Sequence, residues 1–179
     1  MNGMLQFLAH INNIKRMSEA NQREYFDNII NKYKKLPKRE RRPYYKTSVK
    51  SMDEFSIARI VWTPDGRTMP HKHGGSEALI RVLYGGLTQE LFAIWEEDYE
   101  ILERNEYSAW EEIEESPETV HRIGNKSSRQ WAVSLHLFDP RLDSMEVYNL
   151  EDNWRCIVRG DSDTVLTFRP KNAVPIWSG

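Results

Sequence analysis

The hydrophobic period of this 179-residue chain changes once, and that change decides what the chain can build. Up to Pro37 the apolar residues recur at three- and four-residue steps, which marks one stripe of a helix. Tyr25, Phe26, Ile29, Ile30, Tyr33 and Leu36 form such a stripe, with Pro37 to end it and Ser18 placed to cap its start. Leu5, Leu8, Ile11 and Ile14 form an earlier one between Met4 and Met17, and His10 within it reads as an ordinary surface or packing residue. After Tyr44 the pattern becomes that of short strands. The candidates are Phe55–Trp62, Ala78–Tyr84, Leu87–Trp95, Val120–Ile123, Gln130–Phe138, Met145–Leu150, Trp154–Arg159 and Thr164–Phe168. Gly85-Gly86 sits between the second and third at hairpin spacing, and the acidic run Trp110 to Glu118 reads as a loop on a rim. Many short strands predict a sandwich or barrel. The expectation is an all-β core with a short helical lead over residues 1–44 and a barrel over 45–179, one structural domain overall.

Charge and composition narrow the partners. The net charge is −2, and the basic run Lys38-Arg39-Glu40-Arg41-Arg42 lies between two prolines as a solvated connector, so no nucleic-acid partner is expected. No stretch approaches the ~20 apolar residues of a membrane span, and no charged-then-apolar leader is visible. Cys156 is the one cysteine, which excludes an internal disulfide and reads as a buried core thiol. These features predict a cytoplasmic protein, and a monomer, since nothing suggests a protein partner.

Three histidines carry the chemistry. In Pro70-His71-Lys72-His73 two imidazoles two residues apart on a strand project to one face. His121 in Thr119-Val120-His121-Arg122, from a distant strand, would complete a facial set of three nitrogens around a metal and leave positions open for substrate and dioxygen. Neutral imidazoles suit iron, copper, nickel and zinc alike, so the ligands alone do not choose the ion.

The neighbouring residues resemble a known family. Trp62-Thr63-Pro64-Asp65-Gly66, Pro70-His71-Lys72-His73 and Val82-Leu83-Tyr84-Gly85-Gly86-Leu87 together resemble the first motif of the cupins. Val120-His121-Arg122-Ile123-Gly124-Asn125 and Ala132-Val133-Ser134-Leu135-His136-Leu137-Phe138-Asp139-Pro140 look like the cysteine dioxygenase family. The resemblance runs from about Tyr44 to Tyr148. It implies a cupin jelly-roll barrel with Fe(2+) held by His71, His73 and His121. It further implies a small thiol bound to iron through sulfur, with O2 activated beside it and a sulfinate as product. Thiolate binding requires loss of the thiol proton, so substrate binding is expected to depend on pH.

The chain departs from that family in three places. The family's Ser-x-His-x-Tyr set corresponds to Ser134, His136 and Phe138, which share one face of a strand but lack the last hydroxyl. The family's Tyr-x-Arg segment, which grips the substrate carboxylate, is matched across a one-residue gap by Tyr44-Tyr45-Lys46, and Lys46 offers a point charge in place of a fork. The cysteine that forms a thioether crosslink in the animal enzymes corresponds to Ala78. Many cupins add a carboxylate ligand soon after His-x-His. Glu77 nearly fits that spacing, although counting back from Gly85 puts the ligand position on Ala78, and a one-residue slip reverses a side chain's face. The leading expectation is a thiol dioxygenase acting on cysteine or a related thiol or thioacid. The alternatives are a His3Glu cupin of another reaction class and a non-catalytic cupin that binds a small ligand.

Overall fold

In this computed structural model, which describes residues 2–95, 98–161 and 169–177, two helices precede the strands. Helix α1 spans Asn2–Lys15 and α2 spans Glu19–Lys34. The Ser18 hydroxyl accepts from the Asn21 amide at 3.3 Å, which satisfies one donor of the first turn of α2. Phe26 and Ile30 of α2 are buried, and Tyr25, Ile29, Tyr33 and Leu36 pack around them as the stripe requires. In α1 the buried face differs from the expected one. Phe7, Ile11 and Ile14 are buried, whereas Leu5 is 67% exposed. A run of three-residue steps turns back about 60° per step on a 3.6-residue helix, so Leu5 ends half a turn away from Ile14. The steps of four and three from Phe7 stay on one face.

Eleven strands are seen among the described residues: β1 Tyr44–Ser51, β2 Ser56–Trp62, β3 His71–Lys72, β4 Glu77–Tyr84, β5 Gly86–Ile94, β6 Tyr99–Ser108, β7 Glu112–Glu115, β8 Val120–Asn125, β9 Ala132–Asp139, β10 Ser144–Asn149 and β11 Trp154–Arg159. They form two antiparallel sheets, ordered β1-β2-β9-β4-β7 and β11-β10-β3-β8-β5-β6. The inner faces pack together as a jelly roll: Ile60, Trp62, Ile80 and Val82 of the first sheet meet Leu87 and Ile123 of the second. The two helices cover the outer face of the first sheet over Ile57, Val61, Val133, Leu135 and Leu137. β9 is therefore buried on both faces from Ala132 to Phe138, with Ser134, His136 and Phe138 turned into the barrel. The expected strand at Thr164–Phe168 lies outside the described residues.

Two expectations need correction. Gly85-Gly86 does not close a hairpin: β4 pairs with β7 and β9, while β5 pairs with β6 and β8 in the other sheet. The chain turns a barrel corner at Gly85, whose φ is 73° and where a Cβ would stand 2.8 Å from the Trp131 carbonyl oxygen. The acidic run Trp110 to Glu118 is not simply a rim loop, because β7 lies inside it and pairs with β4. Its burial alternates, with Glu112 and Glu114 exposed and Ile113 and Glu115 buried.

Candidate metal centre

Antiparallel pairing of β3 with β8 sets His71 directly opposite His121. His73 follows β3 and precedes Gly74 and Gly75, whose positive φ angles of 51° and 101° turn the chain toward β4. All three histidines are buried, and each offers a ring nitrogen within 4.8 Å of the others. Backbone carbonyls orient two of the rings. His71 Nδ1 lies 2.9 Å from the Met69 oxygen, and His121 Nδ1 lies 3.0 Å from the Thr119 oxygen. A carbonyl can only accept, so in each neutral ring Nδ1 carries the hydrogen and Nε2 keeps a lone pair. A hydrogen bond of that kind fixes a metal-ligating histidine.

Burial keeps the His71 and His73 rings neutral. His71 is pushed down to about 3 by burial first and by the neighbouring His121 second, against the opposing pull of Glu115 and the Met69 bond. His73 falls well below the ordinary value for the same leading reason, helped by His121 and His71. A metal would meet deprotonated ligands without first displacing protons.

A carboxylate faces the cluster, and it is not the expected one. Glu77 is exposed on β4, because the period-two alternation turns Ala78 inward instead. Glu115 comes from β7, where its strand partner is Ala78. Its side chain is 1% exposed, and its Oε2 lies 2.8 Å from His121 Nε2 and 3.8 Å from His73 Nε2. The other oxygen, Oε1, accepts from Gln89 Nε2 at 3.3 Å, and the Gln89 oxygen accepts from the Tyr107 hydroxyl at 3.1 Å. Burial first and Glu115 second raise the Tyr107 phenol, which keeps it a donor. Glu115, Gln89 and Tyr107 escaped the sequence reading. The available signal was Ile113, the one apolar residue in Glu111–Glu115, since Glu115 two positions later must share its face.

The opposite wall is β9 with β2 and β1. Trp62 Nε1 donates to Ser134 Oγ at 2.9 Å, and Ser134 Oγ lies 2.8 Å from His136 Nε2. His136 is held down to about 3 by burial, then by Lys46 and His121. Phe138 connects this chain of groups to the cluster: its ring centroid is 6.0 Å from His136 and 5.2 Å from His73, nearly perpendicular to the latter. Phe138 and Ala78, the position that the resemblance links to the crosslinking cysteine, are direct partners across β9 and β4. Lys46 Nζ stands 5.5 Å from the Phe138 ring centroid and donates to the Gly160 carbonyl. Tyr44, Lys46, His136 and Phe138 line one pocket with the three histidines and Glu115. Of the site residues expected from sequence, Glu77 lies outside the pocket and Ser134 stands behind His136 and does not line it; the pocket brings the others together.

Other motif residues are structural. Asn125 Nδ2 donates to the Thr63 and Gln130 carbonyls at 2.9 and 2.7 Å, and its oxygen accepts from the Ser127 amide at 2.9 Å, pinning two loops. Arg122 pairs with Glu90. Cys156 lies in the core between the sheets, and burial pushes its thiol up. Among the described residues no helix is long and apolar enough to cross a membrane.

The donor set fits a divalent cation. His121 Nε2 and Glu115 Oε2 are buried without any hydrogen-bond partner 2.8 Å apart, with His73 Nε2 3.8 Å from the same oxygen, and buried polar atoms so placed call for a ligand.

Comparison with known proteins agrees with this geometry. Residues 6–151 match the family profile described as cysteine dioxygenase type I. Bovine (Bos taurus) cysteine dioxygenase type 1 is 28% identical over 124 residues, which cover 66% of this chain. The chain spans 58% of that relative's length. Among solved structures, a double-stranded β-helix protein from Klebsiella pneumoniae superposes with a TM-score of 0.52 at 12% identity, covering 67% of this chain and 94% of its own. A cupin-superfamily sugar phosphate isomerase from Silicibacter pomeroyi gives 0.50 at 11% identity, covering 70% and 82%. These two likenesses establish the cupin fold alone.

Proposed function

The chain belongs to the cysteine dioxygenase type I family, and we propose on that premise that it is an iron-dependent thiol dioxygenase. In the proposed reaction one small thiol and one O2 give one sulfinate, both oxygen atoms going to sulfur. Fe(2+), when bound, supplies a centre at which a thiolate and dioxygen meet. His71 and His121 would hold it through Nε2, the nitrogen opposite each backbone-bonded Nδ1, and His73 would complete the set. The observation that carries this reading is the convergence of three buried imidazoles on one pocket.

The rest of the pocket binds and orients. Lys46 brings one positive charge beside Phe138, which suits a substrate with an acidic tail, held as by a point charge and without the bidentate grip of an arginine. Phe138, Ile60 and Ile80 form an apolar wall that keeps water from the thiolate. Ser134, which accepts from Trp62, is also hydrogen-bonded to His136 Nε2 and so fixes that ring. Phe138 has no proton to offer, so no hydroxyl at that position guides the substrate. Cysteine and other small thiols or thioacids remain the substrate class.

One observation favours a second reading. Glu115 brings a carboxylate to the three histidines, as in a His3Glu cupin of another reaction class. The test is oxygen uptake by the ferrous-loaded protein across cysteine, homocysteine, 3-mercaptopropionate, cysteamine and thioacids, with product mass spectrometry. Uptake with one thiol, a gain of two oxygens and loss of both in His121→Ala is the expected result. No uptake with any thiol, while iron stays bound, overturns the proposal in favour of the second reading.

A further inference from the structure

Glu115 and His121 make a contact that neither residue can explain alone. Their Oε2 and Nε2 atoms are 2.8 Å apart, yet each is buried without a hydrogen-bond partner. The Thr119 carbonyl takes a hydrogen bond from His121 Nδ1, which leaves Nε2 as the ring nitrogen aimed at the carboxylate. A carboxylate oxygen and a ring nitrogen at that distance in a dry interior need a cation between them, a proton or a metal ion, and a second histidine nitrogen beside the same oxygen suits the metal ion. His73 Nε2 faces the same oxygen at 3.8 Å. Bonds of roughly 2.0–2.2 Å from one ion place its donors roughly 2.8–4.2 Å apart, and both separations fall in that interval.

The carboxylate is also built to stay where it is. Gln89 holds Oε1 and Tyr107 holds Gln89, so one oxygen is anchored and the other is left toward the histidines. Gln89 is 4% exposed, and a buried amide is placed there at a cost that its two hydrogen bonds offset. Ala78, the partner of Glu115 on β4, is small enough to leave the carboxylate a clear path. On its other side Ala78 pairs with Phe138, so the three residues form one row across the floor of the site.

We propose that Glu115 is a fourth protein donor to the metal held by His71, His73 and His121, oriented by Gln89 and Tyr107. This rests on the three-histidine centre of the proposed function and adds a charge that three histidines lack. The centre becomes a monoanionic N3O set, which binds divalent ions more tightly and leaves one position fewer for exogenous groups. A thiol then reaches the metal through sulfur alone, with no second attachment through an amine. The favoured substrates are small thiols without a neighbouring amino group.

The test measures metal binding apart from turnover. Anaerobic protein is titrated with Fe(2+) against a chromogenic chelator, and with Co(2+) by visible absorption. Glu115→Gln keeps the shape and the Gln89 contact but removes the charge. It is expected to lower Fe(2+) affinity by at least the roughly 10–100-fold that follows loss of a supporting partner, and to change the cobalt spectrum. Gln89→Leu keeps the carboxylate but frees it, and is expected to weaken affinity within that same range while leaving the cobalt spectrum near that of the unaltered protein. Glu115→Gln with unchanged affinity and spectrum overturns the fourth donor. If His121→Ala loses the metal while Glu115→Gln does not, only this proposal falls. If His121→Ala also binds as before, the centre itself is wrong and the proposed function falls with it.

Discussion

Replacing Ser134 with alanine removes a single hydroxyl but leaves two buried groups without partners. Ser134 is fully buried, and it stands between Trp62 Nε1 at 2.9 Å and His136 Nε2 at 2.8 Å. Each orphaned group costs about 1–3 kcal/mol, and relief of the serine's own desolvation offsets part of that, so the net loss is about 2–5 kcal/mol. That is a large share of a typical 5–15 kcal/mol stability. Urea unfolding of the metal-free protein is the assay, since bound metal would add its own stabilisation. Trp62→Phe in the Ser134→Ala background removes one of the two orphans. The double variant is therefore expected to be more stable than the sum of the singles predicts, by about 1 kcal/mol or more. A Ser134→Ala loss below about 1 kcal/mol, with strict additivity, would refute the reasoning.

Three further predictions follow from the same geometry. Phe7 is fully buried between α1 and the first sheet, so Phe7→Ala should cost about 3–5 kcal/mol in urea unfolding while leaving metal affinity unchanged. Ala78→Val crowds both Glu115 and Phe138 and is expected to lose about 1–3 kcal/mol together with metal affinity; stability and affinity both unchanged would contradict the row. His71 and His136 are held down to about 3 and His73 well below its ordinary value, whereas unfolded histidines titrate near 6.5. These folded values are depressed, so the stabilisation is complete above about 6.5 and is lost as pH falls toward 3. With one proton each taken up by His71 and His136 on unfolding, metal-free stability should fall by about 3 kcal/mol per pH unit near pH 5; equal urea midpoints at pH 7 and pH 5 would be inconsistent with buried neutral rings.

The residues show why some of this was legible in the sequence. The period switch after Pro37 separates helix from strand because burial on one face imposes 3.6 in one case and two in the other. His71 and His73 could be placed on one face for the same reason, and His121 by its motif. Gly85-Gly86 misled, because a sharp glycine turn serves a hairpin and a barrel corner equally, and only the partners of β4 and β5 distinguish them. Leu5 misled because its three-residue steps look helical while drifting around the axis. Glu115 was hidden in a run so acidic that solvation seemed its natural state. A buried carboxylate has no hydrophobic signature, and its reason for being inside lies in His121 and Gln89, both distant in sequence.

The central claim is that the three-histidine pocket oxygenates a thiol at sulfur. The most direct measurement supplies isotopically labelled dioxygen to the ferrous-loaded protein with its preferred thiol and reads the product by mass spectrometry. The account predicts a sulfinate carrying label at both oxygen positions, formed in proportion to the oxygen consumed. A thiol recovered unoxidised, or a product whose oxygen comes from water, would contradict it.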